Sequence, residues 1–210
     1  EPKDIRTYLS RAGVWMGRGN PHAALTDYTK AIELDPRDHG TYLNRAEAKR
    51  QVHDVAGAIA DYTEALERIG DETDEDTWLV YASRAELRRQ QNDLEGALAD
   101  YTKTIELNPK DAEAYANRAN LHWEAQQLDR AIADCAQVIL LQPENPAAYF
   151  NRGLARFEQG DLAGAIDDNS QAIALAPDYA EAYLNRAAAR ERTGDLAGAI
   201  ADLEQAKQVG

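Results

Sequence analysis

The stretch Tyr115-Ala116-Asn117-Arg118-Ala119 returns 34 residues later as Tyr149-Phe150-Asn151-Arg152-Gly153, and 34 after that as Tyr183-Leu184-Asn185-Arg186-Ala187. Working outward, Tyr42-Leu43-Asn44-Arg45-Ala46, Tyr8-Leu9-Ser10-Arg11-Ala12 and Tyr81-Ala82-Ser83-Arg84-Ala85 complete six copies. A fixed period of this length marks an array in which each unit is one supersecondary element. The units run over 5–38, 39–72, 78–111, 112–145, 146–179 and 180–210, with residues 73–77 inserted after the second. They fill the chain, so a single domain over 1–210 is expected.

Each unit reads as two short helices. Tyr, Arg and a small residue at repeat positions 4, 7 and 8 share one face of the first helix. The second carries Ala at position 20 in all six copies: Ala24, Ala58, Ala97, Ala131, Ala165 and Ala199. Gly19, Asn92, Gly160 and Gly194 sit in the turn between them, where a left-handed cap suits Gly or Asn. Asp93, Asp161 and Asp195 follow as N-caps of the second helix. Pro36, Pro109, Pro143 and Pro177 stop that helix, because proline lacks the N–H and clashes with the preceding turn. Position 32 is Gly70 in the second unit, where the insertion enters, so a bulge or extended turn is expected there.

An aromatic at 4, a small residue at 8, Ala at 20 and Pro at 32, in register across the chain, resembles the tetratricopeptide repeat (TPR) family. The resemblance implies an all-α fold, a right-handed helical solenoid of six TPR helix-turn-helix repeats. It also implies a protein-binding function rather than catalysis. The chain departs from the family at position 7, usually apolar, which is Arg in every copy. Those arginines, Arg11, Arg45, Arg84, Arg118, Arg152 and Arg186, are matched at position 23 by Asp27, Asp61, Asp100, Asp134, Asp168 and Asp202. Six matched pairs point to a guanidinium meeting a carboxylate, either between the two helices of a repeat or between neighbouring repeats. We read these arginines as scaffold rather than as a row gripping an anionic ligand.

Composition narrows the partner. Asp and Glu number 37 against 23 Lys and Arg, a net charge of -14. Nucleic-acid binding needs a basic footprint, and anionic membranes attract basic segments, so neither partner is expected. The longest aliphatic run, Val138 to Leu141, is far shorter than the roughly 20 residues of a membrane span, so no membrane insertion is expected. One cysteine, Cys135, allows no internal disulfide and reads as a buried small hydrophobe. The chain opens at Glu1 rather than Met, so the cytoplasm is the default location and an extracytoplasmic home after leader removal stays open.

In the family, first-helix positions 2, 5, 6, 9, 12 and 13 face a concave groove. Position 6 here is Ser10, Asn44, Ser83, Asn117, Asn151 and Asn185. In a superhelical member of the family an asparagine row of this kind holds an extended peptide, since an amide donates and accepts together; local hydrogen bonding is the other reading. Position 12 brings Trp123 and Phe157, with Asn120, Phe150 and Leu154 on the same faces. Aromatics clustered on a groove are interface anchors, or else packing between repeats. Glu113, Glu124, Glu158, Glu181 and Glu191 surround them against Arg192, while the first half offers Arg6, Arg50 and Arg89 against Glu47 and Glu86. The expected ligand is therefore a protein or peptide segment with an apolar anchor and basic neighbours. The carboxylate clamp that some family members close on chaperone C-termini is not expected, because no Lys stands at position 2 or 5 and no Arg at position 6.

Neither a catalytic nor a metal centre is expected, and no cofactor. His22, His39, His53 and His122 share no ligand spacing and read as helix-end or surface residues. The acidic run Asp71 to Asp76 lacks the alternation and Gly of a calcium loop and reads as a solvated insertion. Three function classes follow: an interaction scaffold or adaptor first, then a regulatory or targeting arm of a larger enzyme, then a self-associating array. For the last, Leu203, Ala206 and Val209 are the expected apolar surface of a final helix that Lys207 and Gln208 only partly cap.

Overall fold

The computed structural model describes residues 4–70 and 76–210; residues 1–3 and 71–75, the latter including the first part of the insertion, lie outside it. Twelve α-helices span the described residues, and they pair in sequence. Residues Glu1–Pro109 and Lys110–Gly210 form two compact units. In the first, α1 (Ile5–Gly17) pairs with α2 (Pro21–Leu34), α3 (His39–Gln51) with α4 (Val55–Ile69), and α5 (Thr77–Gln90) with α6 (Leu94–Leu107). In the second the pairs are α7 (Ala112–Glu124) with α8 (Leu128–Leu141), α9 (Pro146–Gln159) with α10 (Leu162–Leu175), and α11 (Ala180–Thr193) with α12 (Leu196–Val209). Within each unit every second helix also packs on the first helix of the next pair.

Local chemistry sets the helix ends. Asn20, Asp54, Asp93, Asp161 and Asp195 each accept a hydrogen bond from the backbone N–H three residues on, satisfying a donor the helix leaves unpaired. The turn residue ahead of each has positive φ: Gly19 68°, Asn92 61°, Gly160 93° and Gly194 89°. The same turn uses His53 at 60° and Gln126 at 58°, residues without a glycine's freedom. α4 is capped by Gly70 at φ 58°, and α5 begins at Thr77, inside the expected insertion.

Small residues let the helices approach. Ala12, Ala46, Ala85, Ala24, Ala58, Ala97 and Ala165 are fully buried. Position 24 fills the space beside them with Tyr28, Tyr62 and Tyr101 in the first unit, and with the smaller Cys135 and Asn169 in the second. The proline stop and the aromatic are linked, since the hydroxyls of Tyr149 and Tyr183 each donate to the carbonyl of the proline six residues earlier, at 3.2 Å.

Every Arg at position 7 lies fork-to-fork on its Asp, and the pair joins the two helices of one repeat. Arg118 Nε and Nη2 both sit 2.8 Å from Asp134, and Arg152 reaches Asp168 at 2.9 and 2.7 Å. All six aspartates are buried. A second cation, at position 11, completes most of these sites: Lys49 on Asp61, Arg88 on Asp100, Arg156 on Asp168 and Arg190 on Asp202, at 2.8–2.9 Å. A buried carboxylate held by two cations is compensated where a single pair would leave lone pairs bare. Arg45, Arg84 and Arg186 also bind the preceding repeat, donating Nη1 to the hydroxyls of Thr29, Thr63 and Ser170 at 3.0–3.3 Å.

Candidate functional site

With the arginines committed to the scaffold, the position-6 row is the polar feature left open. Asn44 is exposed, Asn117 and Asn151 are half-buried, and none of the three amides hydrogen-bonds another group among the described residues. Asn185 is buried, and its Nδ2 has no partner. Local capping therefore does not account for these asparagines. Ser83, the position-6 residue of the third repeat, is half-buried.

On α7, Asn117, Asn120 and Trp123 follow one another at three-residue spacing and share a face. Asn120 is exposed, and Trp123 is half-buried with an indole Nε1 that is buried and unpartnered. On α9, Phe150, Leu154 and Phe157 make the equivalent stripe, with Asn151 beside it, and all four are half-buried. Packing takes part of that stripe. The Phe150 ring lies 5.1 Å from that of Tyr179, just ahead of α11, and the Arg192 guanidinium stands 4.9 Å over Phe157. Glu113, Glu124, Glu158, Glu181 and Glu191 are exposed on this unit.

In the first unit, Arg50 and Arg89 are exposed and paired with Glu47 and Glu86, three residues back on their own helices. The Arg89 guanidinium holds the Glu86 carboxyl below its ordinary range. Exposed pairs of this spacing contribute little stability.

His22, His39 and His53 are exposed; His122 stands in the last turn of α7 and is buried there, with Nδ1 2.9 Å from Gln127 Oε1 and Nε2 3.9 Å from Asp134. It occupies position 11, where four of the other repeats put the second cation. Burial lowers its pKa, against the pull of Gln127 and Asp134. One expectation needs correction: Leu203 is exposed but Ala206 is buried and Val209 half-buried, and the apolar surface of the last pair lies instead on Leu184, Leu196, Ile200 and Leu203. Those residues line a cleft of about 320 Å³ with Ala187 and Glu191.

Among the described residues no three His, Cys, Asp or Glu side chains converge to hold a metal, and no helix is long and apolar enough to cross a membrane. The acidic run is outside the described residues up to Glu75, and Asp76 is exposed. Cys135 is buried, and its thiol is pushed up to about 12 by desolvation, so it stays protonated and inert.

Family models agree with this architecture. Models described as tetratricopeptide repeat match residues 16–73, 119–178 and 180–209, and one described as TPR repeat matches 85–126. The chain belongs to the tetratricopeptide repeat family. No curated protein matches the sequence. Among solved structures it is similar to YrrB, described as a TPR protein with an unusual peptide-binding site, at 22% identity and TM-score 0.74, over 86% of this chain and 90% of that one. MamA protein aligns at 22% identity and TM-score 0.74 over 81% and 91%. The C-terminal part of a TPR repeat-containing protein from Cytophaga hutchinsonii aligns at 15% identity and TM-score 0.78 over 98% and 79%. At these identities the likeness is one of fold.

Proposed function

We propose that this chain is an interaction scaffold that takes an extended peptide segment across the first helices of its second unit. The observation that carries the reading is the row Asn117, Asn151 and Asn185, whose amide groups are left without partners beside Trp123, Leu154 and Phe157. An amide can pair with a peptide unit whatever side chain that unit bears, while a partly exposed aromatic stripe accepts one apolar anchor. An unpaired buried donor costs about 1–3 kcal/mol, so an incoming carbonyl that draws out Trp123 Nε1 or Asn185 Nδ2 recovers that cost. The exposed glutamates favour Lys or Arg beside the anchor. Asn44, Arg50 and Arg89 supply the corresponding polar face of the first unit. That YrrB is a TPR protein with a peptide-binding site supports the same class of function.

Selection from a random peptide library tests this. The expected binders carry one large apolar residue flanked by Lys or Arg. Their affinity falls about thirtyfold in Trp123→Ala or Phe157→Ala, the ~2 kcal/mol of an interface anchor, with the helical spectrum unchanged. Selected peptides that bind wild type and both variants equally would refute the site.

A further inference from the structure

We infer that the Trp123 ring and the Glu158 carboxylate form a seat for one arginine side chain of the bound segment. On the reading of α7, α9 and α11 as the binding face, this seat stands beside the apolar anchor. The chain completes the same arrangement by itself one repeat further on. Phe157 holds position 12 of its repeat and Arg192 position 13 of the next. The Arg192 guanidinium stands 4.9 Å over the Phe157 ring, within the roughly 6 Å at which a cation is drawn to an aromatic face. Thirty-four residues earlier the same two positions carry Trp123 and Glu158. The register that sets a guanidinium on Phe157 therefore sets a carboxylate beside Trp123. No cation of this chain stands over that indole among the described residues.

Arg192 shows what a ring at position 12 accepts. The other arginines of α7, α9 and α11 are committed to the scaffold: Arg118 to Asp134, Arg152 and Arg156 to Asp168, Arg186 and Arg190 to Asp202. Arg192 meets no carboxylate among the described residues, although Glu191 is its neighbour in sequence, and the Phe157 ring is its one contact of this kind. Position 13 is exposed in every repeat, and Gln51, Glu124 and Glu158 are so with a further helix pair packed behind them. The row therefore faces solvent rather than the core. Trp123 is half-buried, and neither it nor Glu158 forms a hydrogen bond, ion pair or ring contact among the described residues. A guanidinium suits this seat better than an ammonium, because its plane stacks on the indole while its fork reaches a carboxylate. A ligand carboxylate is disfavoured there, since Glu158 and Glu191 carry the same charge. Leu154 lies one turn before Glu158 on α9, roughly 5–6 Å away by helix geometry. Alternate side chains of an extended segment are spaced about 7 Å apart. An anchor on Leu154 thus places the arginine two residues along.

The probe is a library of nine-residue peptides with Leu fixed at the centre, selected on the wild-type chain and on its variants. The expected wild-type pool is enriched in Arg, above Lys, two residues from the Leu on one side. Replacing that Arg by Gln in a selected peptide weakens binding about tenfold, a cation–π contact and a charge-assisted fork together. The same replacement has no effect on Trp123→Leu, which keeps an apolar side chain. Nor does it on Glu158→Arg, whose own guanidinium fills the seat as Arg192 fills that of Phe157. Glu144→Gln removes an equal charge from an exposed turn of the same unit and keeps the Arg preference. Helical spectra establish that each variant folds. A pool that depends on Trp123 and Phe157 but lacks the Arg preference, or keeps it on Glu158→Arg, overturns the seat and leaves the binding face standing. Enrichment of Asp or Glu overturns it too, since Arg192 would then be receiving an anion. A pool that wild type and a Trp123→Ala, Phe157→Ala double variant select equally refutes the face itself, and the seat with it.

Discussion

The guanidinium of Arg84 lies fork-to-fork on the carboxylate of Asp100, Nε at 2.9 Å and Nη2 at 2.7 Å, with both side chains buried. Arg88 adds a third bond to the same carboxylate at 2.9 Å, and Thr63 takes the remaining arginine nitrogen at 3.0 Å. One aspartate thereby ties α5 to α6 and, through Arg84, to α4. Asp100→Ala strands two guanidinium groups in a partly desolvated site, at a cost of about 3–5 kcal/mol. Urea unfolding followed by circular dichroism reads the loss. Replacing Asp100, Arg84 and Arg88 together with apolar residues of similar volume recovers most of it, because the penalty lies in unpaired charge rather than in the missing contact.

Gln126 and Gly160 adopt the same left-handed turn, at φ 58° and 93°. A side chain in that region costs roughly 1–2 kcal/mol, which glycine avoids. Gln126→Gly therefore raises stability, by about 1 kcal/mol once the looser unfolded chain is counted, and with it the unfolding midpoint. Gly160→Ala lowers stability by a similar amount even though the space around it is open. A pair of thermal melts checks both, and equal midpoints for the two variants would refute the argument.

His122 makes the fourth repeat sensitive to pH. Its folded pKa is lowered, first by burial, while Arg118 and Arg130 push the same way and Gln127 and Asp134 oppose. The unfolded imidazole takes its proton near 6.5. Above that pH both states are neutral and the stability is fully present. As pH falls below it, the unfolded chain binds the proton first, and stability drops until the folded imidazole titrates too. His122→Lys restores the cation that the neighbouring repeats place against this aspartate, as Lys49 does on Asp61 at 2.8 Å. The midpoint of wild type falls between pH 7 and 5 relative to that variant, and parallel curves would refute the account.

The pairing of Arg and Asp was legible in the sequence because both residues recur unchanged in all six repeats. The second cation was not, because Lys49, Arg88, His122, Arg156 and Arg190 share a charge preference rather than an identity, and Trp15 breaks the row. Its signal was the four-residue step from the invariant Arg, which puts both cations on one helix face. The turns at His53 and Gln126 were hidden for a related reason: neither residue favours positive φ, and only the repeat register places them there. The faces bearing Asn117, Trp123, Asn151 and Phe157 follow from helical spacing alone. That Phe150 meets Tyr179, at the end of its own repeat, and that Phe157 lies beneath Arg192 of the next, depends on two positions that carry no aromatic and no arginine in the other copies.

Gly153 and Asn169 form a coupled pair that the fourth repeat replaces with Ala119 and Cys135. A Cβ added at Gly153 would stand 2.7 Å from Asn169 Nδ2, which itself donates to the carbonyl of Ala165 at 2.7 Å. Asn169 is fully buried, and its Oδ1 has no partner. Gly153→Ala alone forces the amide off its acceptor and destabilises the second unit by about 1–3 kcal/mol. Asn169→Cys removes both the clash and the orphaned oxygen. The double variant Gly153→Ala, Asn169→Cys is therefore at least as stable as wild type, and the second substitution is worth more in the presence of the first. A double-mutant cycle by urea unfolding measures that coupling. Additive single effects would mean that the two side chains do not share the space that their separation implies.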